Sequence, residues 1–436
     1  MKIYNYSSVS AEKRISAIVN RGLAFKKKDF LEITRILEEI RRYGDKALIK
    51  YVNLFDAPDM GMESLKVTQE EMDTALERVE QSFLNALNRA ADQIESFHRQ
   101  QLGRSWINTE RPGTLLGQLI NPVDAAGVYV PGGKGGETPL VSSALMGAIP
   151  AGIAGVKKII MVTPPRKDGT VNPHLLVAAK KAGVHGVYKA GSAWAIAALA
   201  YGTETIPKVD VIVGPGNIYV TLAKKIVSGS VGIDMLAGPS EILVIADRSA
   251  NPEFIAADLL SQAEHDPMAS SMLVTDSKQM AKAVCSALKE QVKHLFRKKI
   301  VEESLAKYGA IITVPDLAVA IEVANRIAPE HLQLQVKDPF EYIGQIRHAG
   351  AVFIGSYTPE PVGDYMAGPN HVLPTAGTAR FASALSVDHF LKKTSLIHYS
   401  LESFEREAKD IIRLAEIEGL DAHAYSIKIR LQPKDI

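Results

Sequence analysis

Side chains able to bind a metal or move a proton crowd into Asp258-Leu-Leu-Ser-Gln-Ala-Glu-His-Asp266. If the helix opened by Asn251-Pro252 runs through this segment, Gln262 and His265 share a face and can address one ion or ligand. Read alone, the segment is more simply a helix C-terminus, with His265 against the dipole and Glu264 and Asp266 in solvent. Glu330 and His331 are neighbours in Ala328-Pro-Glu-His-Leu332, after a proline that ends a helical pattern. A carboxylate beside an imidazole suits proton chemistry: the acid can orient water or hold one tautomer, and histidine, with a pKa of about 6.5, exchanges protons near neutrality. That pair also has a plain reading as helix-end surface. A third group, Asp364 and His371, lies in the Gly/Pro-rich stretch from Gly355 to Thr378, which reads as one long loop. Its aromatic and apolar residues argue against disorder, and long loops in compact domains are usually functional.

These residues need a scaffold. At 436 residues the chain can bury a large core and should form more than one domain. With 46% hydrophobic and 23% charged residues it has the composition of a soluble globular protein. Fifty basic against 49 acidic residues leave a formal charge of +1, which argues against a nucleic-acid partner. The start, Met1-Lys-Ile-Tyr-Asn-Tyr, lacks the apolar core of a signal peptide, and the most apolar stretch, 142–156, is broken by Pro150 and glycines. A cytoplasmic protein without a membrane segment is expected.

From Thr68, apolar positions Met72, Leu76, Val79, Phe83, Leu87, Ala90 and Ile94 recur at helical steps, and Thr68 with Glu71 forms a capping box; one long amphipathic helix is expected. Beyond it, β-rich runs alternate with helical ones: 159–162, a helix from Asn172, 186–188, a helix from Ala193, 209–213, a helix from Asn217, then 242–245. A second series follows, with 272–274, a helix from Ser277, 311–314, a helix from Asp316 and 352–354. Alternation of this kind predicts α/β architecture: two open, Rossmann-like parallel-sheet domains, one inserted in or following part of the other, with ligands at the carboxyl ends of the strands.

Cys285, the only cysteine, excludes an intrachain disulfide and sits in a helical run with Val284 and Leu288, as a packing residue would. An aldehyde oxidised here would therefore be attacked by water rather than by a thiolate. No Gly-x-Gly-x-x-Gly occurs. The nearest substitutes, Pro131-Gly-Gly-Lys-Gly-Gly136 and Gly214-Pro-Gly-Asn217, could admit a phosphate to the backbone or could be tight turns.

Gly127-Val-Tyr-Val-Pro-Gly-Gly133, Gly214-Pro-Gly-Asn-Ile-Tyr-Val220, Asp234-Met-Leu-Ala-Gly-Pro-Ser-Glu241, the Gln262 and His265 segment, Ala328-Pro-Glu-His-Leu332, the loop to Thr378 and Glu418-Gly-Leu-Asp-Ala-His423 occur together and in order. On these residues the chain resembles the L-histidinol dehydrogenase family. The resemblance implies two aldehyde-dehydrogenase-like domains: an NAD-binding one over 129–240 and a catalytic one over 23–128 and 241–384. It also implies an arm over 1–22 and a helical segment over 385–436 that crosses to the partner in a homodimer with shared active sites. The implied activity is an NAD-dependent alcohol and aldehyde dehydrogenase that converts histidinol through bound histidinaldehyde to histidine, the last steps of histidine biosynthesis. One zinc per subunit is implied on Gln262, His265, Asp364 and His423. Glu330 and His331 are implied as the proton-transferring residues, Ser240, His371 and Glu418 as further substrate contacts, and Tyr129, Trp194 and Asn217 as the NAD contacts.

Two departures stand out. Family members commonly have glutamine in Gly-Gly-Ala-Gln-Ala-Ile-Ala, where this chain reads Gly191-Ser-Ala-Trp-Ala-Ile-Ala197. The family's aromatic-Pro-Ser/Thr segment reads Glu137-Thr-Pro-Leu-Val-Ser142. A related zinc and NAD dehydrogenase acting on another small diol or amino alcohol is the alternative, and a zinc hydrolase using the same cluster is a further one.

Overall fold

A computed structural model describes residues 1–20, 25–133 and 136–432. The expected boundary between residues 22 and 23 lies outside the described residues, as do Lys134 and Gly135 of the first glycine run. The chain forms two compact units, one of 1–101 with 123–390 and one of 102–122 with 391–436.

The first unit contains two parallel sheets. One has five strands in the order Gly186–Lys189, Lys158–Thr163, Ala125–Tyr129, Val211–Val213 and Gly232–Ile233. The other has six, in the order Ile3–Asn5, Ala310–Thr313, Ser270–Thr275, Glu241–Ala246, His331–Gln335 and Ala351–Ile354. The five-stranded sheet is inserted after the first strand of the six-stranded one, and the alternation expected from sequence is present strand by strand. The edge strand Ile3–Asn5 gave no periodic signal because it is only three residues long.

The central strands are buried on both faces, as parallel strands covered by helices must be, and most of their side chains are apolar. In the six-stranded sheet, Leu243, Ile245, Leu332 and Leu334 pack with Ile15 and with helix Leu317–Ile327. On the opposite face, Ile242 and Val244 pack with helices Pro252–Ala263 and Lys278–Gln291. His331, Gln333 and Gln335 share that second face, so strand period two places polar side chains beneath helix Pro252–Ala263.

The helix expected from Thr68 is two. Thr68 caps Gln69–Glu77 through the capping box, but Arg78 leaves helical geometry, and extended Glu80 restarts the chain as Gln81–Arg99. The apolar phase continues across the break, which is why periodicity alone does not reveal it. The second unit carries helices within 385–436, as expected, and a strand besides. Its helices Leu401–Ile417 and Asp421–Lys428 follow the strand Leu391–Tyr399, which pairs antiparallel with Thr114–Pro122, itself paired with Trp106–Asn108. No helix among the described residues is long and apolar enough to cross a membrane.

Candidate active site

Strands Glu241–Ala246 and His331–Gln335 are adjacent and begin level with each other. At their amino ends, Glu330 Oε2 accepts the Glu241 amide at 2.8 Å, and His331 Nδ1 meets the Glu241 carbonyl at 2.8 Å. A carbonyl only accepts, so Nδ1 carries the hydrogen and Nε2 keeps the lone pair. Helix Pro252–Ala263, capped by Asn251 with Pro252 in its first turn, runs back along the sheet and delivers Gln262 to these strand starts. His265 falls just beyond the helix, in a turn whose amide donates to the Gln262 carbonyl at 3.2 Å. The loop expected over 355–378 contains a six-residue helix, Glu360–Tyr365, which puts Glu360 and Asp364 one turn apart. Nε2 of His331 stands 3.8 Å from Glu360 Oε1.

The site therefore lies at the amino ends of the six-stranded sheet, not at the carboxyl ends as expected. Crossover helices run antiparallel to their strands, and here the helix that brings polar groups does so at its C-terminus.

Burial governs the charges. Glu330 has its pKa raised well above the ordinary carboxylate range, first by burial and then by the charges of Glu241, Glu360 and Asp364, against the Glu241 amide. Glu360 is pushed up to about 8 by burial and by Asp258. Asp364 is pushed up to about 7 by burial and Glu360, with His331 opposing. Burial also lowers His331, and it pushes His371 down to about 4. So many carboxyl groups cannot ionise together without a cation. His331, Glu360 and Asp364 offer ligand atoms all within 4.8 Å of one another, and the buried amide of Gln262 touches Glu360. Oxygen donors such as the Asp364 carboxylate and the Gln262 amide, with imidazole nearby, are of the type that suits a small divalent ion such as zinc.

The sequence model of the histidinol dehydrogenase family matches residues 23–431. The chain is 56% identical over 397 residues to histidinol dehydrogenase of Desulfotalea psychrophila, covering 91% of this chain and 92% of that one. It is 50% identical over 432 residues to that of Clostridium acetobutylicum, covering 99% of both. This chain belongs to the histidinol dehydrogenase family. The crystal structure of histidinol dehydrogenase from Elizabethkingia anophelis superposes with a TM-score of 0.92 at 37% identity, over 99% of this chain and 98% of that one. As a family member the chain is an oxidoreductase of histidine biosynthesis.

Of the residues that the histidinol dehydrogenase resemblance singles out, Gln262, Glu330, His331 and Asp364 come together in the first unit. Ser240 directly precedes Glu241, and its carbonyl accepts the Ser270 amide at 2.9 Å. A buried ring nitrogen of His371, Nε2, has no hydrogen-bond partner among the described residues. Glu418 ends helix Leu401–Ile417 and His423 lies on Asp421–Lys428, both in the second unit. Glu241 and Glu360 were not anticipated. Glu241 directly precedes the strand expected over 242–245, and Glu360 lies between two prolines in the expected loop; its spacing of four from Asp364 was the available signal.

At the carboxyl ends of the five-stranded sheet, Tyr129 closes the central strand and Asn217 follows the neighbouring strand Val211–Val213. These strands flank the point where strand order reverses, the usual dinucleotide crevice of open α/β sheets. Gly214 is required there: its φ is +117° and a Cβ would lie 2.1 Å from the Tyr129 carbonyl oxygen. Asn217 Oδ1 caps its own helix through the amides of Tyr219 and Val220. Trp194 is buried and stacks on Phe55, with ring centroids 5.2 Å apart. Its indole donates to Asp56 Oδ2 at 2.7 Å, and an indole has no second hydrogen to offer.

Proposed function

We propose that this chain oxidises L-histidinol through bound L-histidinaldehyde to L-histidine, a four-electron reaction that reduces two NAD and depends on zinc. The observation that carries the reading is the buried His331, whose Nδ1–H is committed to the Glu241 carbonyl and whose Nε2 faces the acidic cluster. Held in this tautomer, Nε2 can take the alcohol proton. Glu330 sits beside it, and its raised proton affinity suits it to draw a proton from the water that hydrates the aldehyde. Cys285 is on the separate helix Lys278–Gln291, half-buried against that helix's apolar core, which supports attack by water rather than sulfur.

Gln262, His265 and Asp364, with His423, would hold the zinc, which when bound supplies a template for the amine and imidazole of the substrate. Ser240, His371 and Glu418 are the further substrate contacts in this reading. Tyr129 and Asn217 would receive NAD, which supplies the hydride acceptor for both oxidations. With its indole hydrogen on Asp56, Trp194 contributes packing rather than a hydrogen bond to the cofactor.

We retain a homodimer with shared sites, Glu418 and His423 reaching the partner. In the second unit Ile397 is 73%, Leu401 66%, Leu414 63% and Ile417 66% exposed, an apolar surface that supports cover by a second copy. The division into an NAD-binding segment over 129–240 and a catalytic one over 23–128 with 241–384, in a cytoplasmic enzyme, belongs to the same reading.

The test is a substrate panel with zinc and NAD, scored for cofactor reduced per molecule consumed. Two NADH per histidinol is expected, with turnover lower by about a hundredfold or more in His331→Asn while zinc is retained. One NADH per molecule, or preference for another amino alcohol, would replace this reading with the related dehydrogenase, and no NADH with a hydrolase.

A further inference from the structure

We infer that Glu360 is a positioning residue that orients Gln262 for the metal, an inference that rests on the zinc reading above. Gln262 is fully buried and Glu360 is 3% exposed, so neither can exchange its partner for solvent. With its amide nitrogen turned toward Glu360, Gln262 lies 3.0 Å from one carboxylate oxygen and 3.3 Å from the other. The other neighbour of that nitrogen is His331 Nδ1 at 3.2 Å, but this ring nitrogen spends its hydrogen on the Glu241 carbonyl and cannot accept. Glu360 is therefore the acceptor.

The consequence is directional. An amide binds a cation through oxygen, never through its protonated nitrogen. Anchoring the nitrogen on Glu360 leaves the oxygen as the free end of Gln262 and stops the amide from rotating to present hydrogens to the ion. The same carboxylate faces His331 Nε2 at 3.8 Å and stands one helical turn before Asp364. One side chain thus bears on three groups of the site, the arrangement by which outer partners fix the ligands of a metal centre.

The experiment compares parent protein with Glu360→Ala, Glu360→Gln and Glu360→Met. Zinc affinity is measured by chelator competition, the cobalt-substituted absorption spectrum is recorded, and thermal melting checks folding. Parent protein is expected to bind zinc. Glu360→Gln, which can still accept the Gln262 hydrogen, should bind within about threefold of parent with an unchanged cobalt spectrum. Glu360→Ala should weaken zinc binding by about tenfold to a hundredfold, the usual cost of losing an outer partner. Glu360→Met, close in size and without an acceptor, should match it and serves if the alanine variant does not fold. In a Gln262→Ala background the added effect should shrink to about threefold or less, because Glu360 acts through that amide.

Folded alanine or methionine variants that bind zinc like the parent would overturn the inference while leaving the zinc reading intact. Loss of affinity in Glu360→Gln equal to that in Glu360→Ala, with an altered cobalt spectrum, would make Glu360 a ligand and also overturn it. A parent protein that takes up neither zinc nor cobalt removes the metal reading and this inference with it.

Discussion

Glu241 and Glu330 exchange hydrogen bonds between side chain and backbone across adjacent parallel strands: the Glu241 amide donates to Glu330 Oε2 at 2.8 Å, and the Glu330 amide donates to Glu241 Oε2 at 3.4 Å. Strand ends leave backbone amides outside the ladder, and here carboxylates supply the missing acceptors. Glu241 Oε1 also accepts the Ala376 amide at 3.2 Å, while the Glu241 carbonyl holds His331 Nδ1 at 2.8 Å. One residue thus orients both proposed proton-transfer groups and ties down the chain beyond His371.

Glu241→Ala should therefore damage both stability and turnover. The amides of Glu330 and Ala376 would lose their acceptor, at about 1–3 kcal/mol for each group left buried and unpaired. Turnover should fall by about tenfold or more as the Glu330 backbone loses the carboxylate that accepts its amide, although the Glu241 amide and carbonyl still hold the Glu330 and His331 side chains. Glu241→Gln, which keeps an acceptor oxygen, should lose less of both. Melting curves and steady-state NADH formation read the two effects separately. An alanine variant with parent turnover would mean that Glu330 is held by other contacts.

Asp56 should make stability depend on pH in an unusual direction. Burial pushes its pKa from 3.8 to about 6, although the Trp194 indole and the Gly191 amide pull the other way. The folded state therefore keeps a proton over a range where the unfolded chain has lost it. Stability from this group is highest below pH 4, falls between about pH 4 and 6, and the penalty is fully present above, amounting to at most about 3 kcal/mol. Asp56→Asn can still accept both hydrogen bonds and does not titrate. Its melting temperature relative to parent should rise from pH 4 to 6 and then level off; a constant difference would show that Asp56 ionises normally.

Cys285→Ala should retain both oxidation steps. The thiol is half-buried and packs against the core beside helix Lys278–Gln291, so the change should cost about 1 kcal/mol of stability and leave two NADH per histidinol. Free aldehyde accumulating in this variant, with the first step intact, would restore sulfur as the nucleophile.

Mixing variants tests the shared site. His423→Ala and the double variant Glu330→Gln/His331→Asn should each be nearly inactive. In a heterodimer one site collects all the defects, and the other combines intact Glu330 and His331 with an intact His423. Activity should reappear as subunits exchange. Heterodimers detected by mass spectrometry but no more active than their parents would mean that each subunit completes its own site.

The sequence by itself determined the two series of parallel strands, because buried strands read as short apolar runs between amphipathic helices. It also brought out Gln262, Glu330, His331 and Asp364 as chemically able residues, since their types and motifs are local. What it could not determine was which of them meet. Strands Glu241–Ala246 and His331–Gln335 are far apart in sequence, and only their pairing makes Glu241 the partner of both Glu330 and His331. Glu360 was hidden by its prolines, which disguise a short helix as loop, and became a site residue only when packing buried it beside Gln262. The break at Arg78 was silent because the apolar phase runs through it. The sequence likewise gave no reason to expect Trp194 to spend its indole hydrogen on Asp56, since that contact links two helices' neighbourhoods across the packed core. Propensity and periodicity act over a few residues, whereas burial, proton affinity and hydrogen-bond partners arise from groups that only the tertiary fold brings into contact.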